Sequence, residues 1–279
     1  MARPASVWRL ATVRDLVDET PRARTILLDV PGWPGHLAGQ HVDVRLTAEH
    51  GYTTQRSYAI APAPEDATLA LTVERLDGGE VSPYLTEELR PGDGLELRGP
   101  VSGAFTWRSG DGGPLLLLVA GGSGLVPLMA MLGHRAARSS TVEARLLIAA
   151  RSLGDVLYGD ELTRLAQSDG LSVHHTLTPH PPPGWTGFAR PVDAAMLREV
   201  GPAPSRRPRV FVCGPTAFVG RVVGLLVALG HGPTTRPAHG REHRRVRRPS
   251  RVDAWGQACA AASARVPRLQ PGEAAEAQP

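Results

Sequence analysis

A change of hydrophobic period near residue 110 constrains this chain more than any other feature. From Trp8 to about Trp107 the apolar residues come in short runs: Trp8 to Val17, Ala23 to Val30, His41 to Thr47, Gln55 to Ala61, Thr68 to Leu76 and Gly94 to Gly99. Turn residues punctuate them, as in Pro31-Gly32, Asp77-Gly78-Gly79 and Pro91-Gly92-Asp93-Gly94. Six evenly spaced strands predict a small antiparallel β-barrel. One helix interrupts the run; Ser82 is expected as its N-cap, Pro83 as its first residue, and Pro91-Gly92 as its end.

Beyond Ser109-Gly110-Asp111-Gly112-Gly113, which reads as a linker, strand and helix alternate. Strands are expected over Pro114 to Ala120, Val142 to Ala150, Leu171 to Thr178 and Arg209 to Cys213. Helices are expected over Leu125 to Arg138, Asp160 to Gln167, Val192 to Val200 and Thr216 to Leu229. Apolar strands alternating with helices predict a parallel α/β sheet covered by helices. The domains are therefore read as 1–108 (barrel), 109–113 (linker) and 114–231 (α/β). In 232–279 the periodicity stops and Pro, Arg, Ala and Gly dominate, so this tail is expected to be disordered.

Composition closes several function classes. All 31 basic residues are Arg, and the absence of Lys excludes a Walker A loop and a lysine Schiff base. Two cysteines, Cys213 and Cys259, are too few for a four-thiolate cluster, so no metal site is expected. His174 and His175 point to opposite faces of a strand and are read as structural. No apolar run reaches the roughly 18 residues of a membrane span, and the first 20 residues lack a signal-peptide core, so a cytoplasmic location without membrane attachment is expected. Residues 232–279 hold nine Arg against four acids, so the basic charge belongs to the tail. Arg241, Arg244, Arg245, Arg247, Arg248 and Arg251 offer a phosphate-binding alternative, but only Trp255 lies near to stack a base, and no specific nucleic-acid partner is expected.

Four segments carry the chemistry. Arg56 and Tyr58 lie two apart on a strand and share a face, so one can pair with a phosphate while the other lies against a flat ring. Gly79-Glu80-Val81-Ser82 opens a helix, where free N–H groups favour an anion. Together they suit the pyrophosphate and isoalloxazine of FAD. Gly122-Ser123-Gly124-Leu125 follows a buried strand and opens a helix, suiting a second pyrophosphate, with Pro127 where a Rossmann turn has its last glycine. Arg151 and Ser152 end the next strand, where an NAD site would offer an acid, and so favour the 2′-phosphate of NADPH over NADH. Cys213-Gly214-Pro215 ends the fourth strand of this domain, and its thiol is a candidate to lie against a nicotinamide. Tyr58 and Cys213 are thus the residues expected at the reacting rings, and none is assigned as acid or base.

These segments resemble the ferredoxin–NADP reductase superfamily, in the branch without a fused iron–sulfur domain. Arg56-Ser57-Tyr58 is similar to its Arg-x-Tyr-Ser/Thr motif, Gly79 to Ser82 to its FAD phosphate loop, Gly99-Pro100 with Gly103 and Phe105 to its barrel-closing segment, and Cys213-Gly214-Pro215 to its nicotinamide-side turn. The resemblance implies an FAD-binding barrel followed by a pyridine-nucleotide domain. It implies a reductase passing hydride from NAD(P)H to FAD and electrons to a separate iron–sulfur or haem protein; the alternative is an FAD- and nucleotide-binding module without turnover. Two departures stand out. Ala59 replaces the family's Ser or Thr near flavin N5, losing a hydrogen bond worth about 0.5–1.5 kcal/mol. After Leu229-Gly230-His231 the family's final strand is missing, which is expected to leave a sheet edge unpaired.

Overall fold

A computed structural model describes residues 7–47, 51–101, 103–111, 115–167, 170–232 and 251–257. Six strands form the first sheet: β1 (Trp8–Thr20), β2 (Ala23–Asp29), β3 (His41–Thr47), β4 (Thr53–Ala59), β5 (Leu69–Glu74) and β6 (Gly94–Val101). They pair antiparallel in the order β4-β3-β6-β1-β2-β5, and an Ile60–Leu71 bridge joins the two ends into the expected barrel. Alternation sends Val42, Val44, Ile26, Leu28, Leu95 and Leu97 into its core.

The interrupting helix, α1, covers only Val81–Pro83 and continues as a π turn over Tyr84–Glu88. Ser82 is not its N-cap, a correction: Glu80 stands there, and the buried Ser82 hydroxyl instead accepts the N–H of Leu76 at 3.0 Å, closing the loop that precedes the helix. Pro83 accordingly sits two positions further into the helix than expected, and the helix stops before Leu89, whose backbone is extended.

The second sheet is parallel, in the order β11-β10-β7-β8-β9. Its strands are β7 (Leu115–Gly121), β8 (Glu143–Ala150), β9 (Leu171–Leu177), β10 (Arg209–Pro215) and β11 (Arg251–Gln257). Helices α2 (Leu125–Ala137), α3 (Gly159–Ala166), α4 (Ala194–Val200) and α5 (Thr216–Ala228) connect them. Strand β7 is buried throughout, and its side chains split between two cores. Leu116, Leu118 and Ala120 join α2, while Leu117 and Val119 join α4 and α5. Emptying either side, as in Leu118→Ala, costs about 2–5 kcal/mol.

Strand β11 overturns two expectations. Residues 251–257 are not part of a disordered tail; they pair in parallel with β10, residue for residue from Arg209–Arg251 to Pro215–Gln257, so the edge expected to stay open is covered. The sequence signal was weak because Arg251-Val-Asp-Ala-Trp-Gly-Gln lies among Arg- and Pro-rich segments. The rest of the tail, with Arg241 to Arg248, lies outside the described residues. Among the described residues no helix is long and apolar enough to cross a membrane.

The core of α2 extends into the barrel. Ala38, Ala59, Phe105 and Trp107 share one cluster with Met131 and Leu128, so the two domains are joined by continuous apolar packing. Beside it, the N–H of Ser109 donates to His134 Nε2 (3.2 Å), which leaves Nδ1 to donate to Glu65 (2.9 Å).

Candidate functional site

The flavin motif lies on β4, opposite β3. Arg56 faces Val44 across the ladder and Tyr58 faces Val42, so both project to the face that carries the barrel's buried valines. α1 packs against this strand, and the Tyr52 hydroxyl donates to Glu80 at 3.3 Å, tying the start of β4 to the glycine loop. The guanidinium of Arg56 donates to the Gln55 carbonyl (2.7 Å) and the Thr54 hydroxyl (3.2 Å), and among the described residues no carboxylate forms an ion pair with it. Burial pushes the Tyr58 phenol up, with Arg56 opposing, so it stays a neutral ring.

Ser57 and Ala59 take the other face. Ser57 donates to Asp43 Oδ1 at 2.6 Å, and Arg98 grips Asp43 Oδ2 through Nη2 (2.7 Å) and Nε (3.2 Å). Burial raises the Asp43 carboxyl, but the Ser57 and Arg98 hydrogen bonds outweigh it and hold the group below the usual carboxylate range. Trp8 lies beneath the Arg45 and Arg98 guanidiniums, at 4.2 and 5.0 Å. This lock fixes β4 in register, and Ser57 therefore acts behind the strand. Ala59 is buried in the shared interdomain core.

The glycine loop closes on itself. Gly78 has φ +73°, and a Cβ on Gly79 would lie 3.1 Å from the Leu76 carbonyl and 3.2 Å from Ser82 Oγ. Val81 and Ser82 are buried, leaving Gly79 and Glu80 at the surface. An unpaired cation on β4, a neutral aromatic two residues on and a tight glycine loop tied to the same strand fit a flavin dinucleotide.

In the second domain Gly122, Ser123 and Gly124 form a single 3-10 turn that runs into α2 at Leu125. Gly122 has φ +53°, and Gly124 presses on β10 so closely that a Cβ would come within 2.2 Å of the Cys213 carbonyl. Phe218, in the first turn of α5, lies over both Gly121 and Gly214, where an added Cβ would meet its ring at 2.8 and 2.9 Å. Pro215 ends β10 at the surface. Cys213 is fully enclosed in the α2-side core, and burial pushes its thiol up, so it remains protonated and apolar.

Two acids that the sequence reading missed meet these donors. Arg151 Nη2 and the Ser152 hydroxyl both donate to Asp155, at 2.8 and 2.7 Å, so the expected phosphate pair is bridged by a carboxylate. Burial raises Asp155; the Ser152 and Arg151 contacts outweigh it, and the group sits below its ordinary range. The Ser-x-x-Asp spacing, that of a capping box, was a readable signal. The second acid is Glu74, at the end of β5: it accepts the backbone N–H of Ser123 at 3.1 Å.

Strand β5 thus joins the halves. Two residues before Glu74, Thr72 accepts from the Tyr158 hydroxyl at 2.5 Å, although Tyr158 belongs to the loop before α3. Thr25 donates its only proton to Glu19 (2.6 Å), so Thr72 must donate to Thr25 (2.7 Å), giving a directed chain from Tyr158 to Glu19. Tyr158 adopts φ +57°, a left-handed backbone rare for a bulky residue and held by this network. Asp77, past the end of β5, is held below the carboxylate range by Arg22, at 3.0 Å, and also feels Arg75 and Arg151. The flavin loop that follows β5 and the nucleotide turn therefore meet at β5, and Cys213-Gly214 packs against that turn at Gly124. A recess of about 440 Å³ elsewhere at the junction is lined by Trp107, His134 and Arg138 and by none of the flavin-motif residues.

Comparison with known proteins identifies the family. The oxidoreductase FAD-binding domain family matches residues 24–107, and the oxidoreductase NAD-binding domain family matches residues 118–223. A ferredoxin–NADP reductase B of Sorangium cellulosum is 36% identical over 248 residues, covering 86% of this chain and 96% of the relative. NADH-cytochrome b5 reductase 1 of Aspergillus terreus is 32% identical over 216 residues, covering 73% and 69%. The structure of a ferredoxin NADP+ reductase from Neisseria gonorrhoeae with bound FAD and NADP superposes with a TM-score of 0.73 at 17% identity, covering 88% and 98% of the two chains, and shares the fold. The chain belongs to the ferredoxin–NADP reductase superfamily of FAD- and NAD(P)-binding flavoprotein oxidoreductases.

Proposed function

We propose that this chain takes hydride from NAD(P)H onto FAD and passes the electrons to a separate iron–sulfur or haem protein. Bound FAD supplies the conversion of a two-electron donation into single-electron release; the protein binds, orients and excludes water. Arg56 holds the flavin pyrophosphate together with the loop from Gly79 to Ser82, and Tyr58 lies against the isoalloxazine. The turn from Gly122 to Leu125 takes the nucleotide pyrophosphate, with Gly214 and Pro215 flanking the nicotinamide. Cys213 contributes an apolar wall behind that ring, since its buried, protonated thiol is unsuited to proton transfer.

The observation that carries this reading is the convergence on β5, which brings the flavin loop and the nucleotide turn to one strand. The ferredoxin and cytochrome b5 named for the two relatives support a separate protein acceptor. Arg151 and Ser152 support NADPH; Asp155 tempers that preference, because it occupies both donors. A cytoplasmic site of action is part of the proposal. To test it, the FAD-loaded protein is mixed with NADPH without oxygen, and loss of flavin absorbance is the expected result. A yellow protein that never bleaches would leave a binding module, and a colourless one that refuses FAD would remove the reading.

A further inference from the structure

The first donor of the nucleotide turn is already engaged. Thr72 and Glu74, two residues apart on β5, share a face and both reach the second domain. Glu74 Oε2 takes the Ser123 N–H at 3.1 Å, and a Cβ on Gly122 would come within 3.2 Å of the same oxygen. The carboxylate therefore lies where the turn presents its N–H groups and where the 13-residue α2 begins, a place that favours negative charge. Among the described residues no Arg or His forms an ion pair with Glu74, so the turn is its electrostatic partner.

We propose that Glu74 is an internal stand-in for the nucleotide's phosphate: it satisfies the turn when the site is empty, must be displaced for a dinucleotide to bind, and returns to help expel the product. This rests on the reading that the turn holds the pyrophosphate. Glu74 and a phosphate are both acceptors with negative charge, so they compete for one N–H and repel each other. Affinity for the nucleotide is the difference between two anions at one seat. Weakening the resident anion strengthens the arriving one.

The test compares wild type with Glu74→Gln in the FAD-loaded protein by calorimetric titration with NADP+ and with NAD+. Glutamine keeps an oxygen for the Ser123 N–H and removes only the charge, and Glu74→Ala removes both. The expected result is binding about two- to ten-fold tighter for both nucleotides in both variants, in line with the ordinary strength of a charge at a helix start. Unchanged affinity overturns the proposal, as does weaker binding, which would mean that Glu74 accepts a hydrogen bond from the bound nucleotide. Amide spectra of the wild type separate this from failure of the underlying reading. If NADP+ leaves the Ser123 and Gly124 resonances unmoved, the turn is not the nucleotide seat; if they shift while the variants bind as wild type does, only the role of Glu74 fails.

Discussion

Arg56 on the barrel and Arg151 on the second domain are both guanidiniums offered to a phosphate, yet their surroundings differ. Arg56 rests on a carbonyl and a hydroxyl of its own strand, whereas Arg151 is bridged to Asp155, and the nearby Ser123 N–H is taken by Glu74. The flavin side keeps its cation uncommitted and clamps the strand behind it through Asp43, Ser57 and Arg98. The nucleotide side satisfies its donors with the protein's own acids. An open, rigid seat suits a ligand that stays through many turnovers; a self-satisfied seat suits one that arrives and leaves each cycle.

The largest effect should come from Arg56→Ala. Loss of charge-assisted phosphate contacts should weaken FAD binding about ten- to a hundred-fold, seen as yellow colour lost on desalting. Retention equal to wild type would break the comparison at its flavin end. Asp43→Asn should loosen the clamp and cost about 1–2 kcal/mol of stability at neutral pH, measured by denaturant unfolding. The Asp43 carboxyl sits below its unfolded value, so its contribution is present above about pH 4 and is lost as the pH falls through the folded value. The gap between wild type and variant should therefore close in acid; a gap independent of pH would assign the effect to packing.

On the nucleotide side, Asp155→Asn should free Arg151 and Ser152 and raise the NADPH-to-NADH ratio of kcat/KM about three- to ten-fold, whereas Arg151→Ala should lower it. A ratio unmoved by either change would place the 2′-phosphate elsewhere. Tyr158→Phe is the smallest change. It removes one cross-domain hydrogen bond and should cost about 1 kcal/mol, a shift of a few degrees in Tm.

The barrel, the parallel sheet and nearly every element boundary were legible because period two and period 3.6 alternate cleanly and glycines mark the turns. The segments proposed to bind stand out in the sequence because glycines or strand ends mark three of them, while Arg56 and Tyr58 are picked out by their two-residue spacing within β4. Glu74 was not legible, because a carboxylate's partner is fixed in three dimensions and Ser123 lies 49 positions from it; Asp155 carried a local Ser-x-x-Asp signal, which does not show that the acid also bridges Arg151. Tyr158 was hidden likewise, as an αL tyrosine in a loop has no sequence signature. Ser82 misled because Ser-Pro reads as a helix start, while its hydroxyl was better used closing the turn at Leu76. Strand β11 escaped because its neighbours in sequence swamp the local alternation.

That last strand has a practical consequence. A chain cut after residue 232 would bare the whole length of β10, from Arg209 to Pro215, as a ready template for other polypeptides. The shortened protein should gather into aggregates even with both cofactor lobes intact, and trimming the Arg-rich terminus to improve handling would defeat its own purpose.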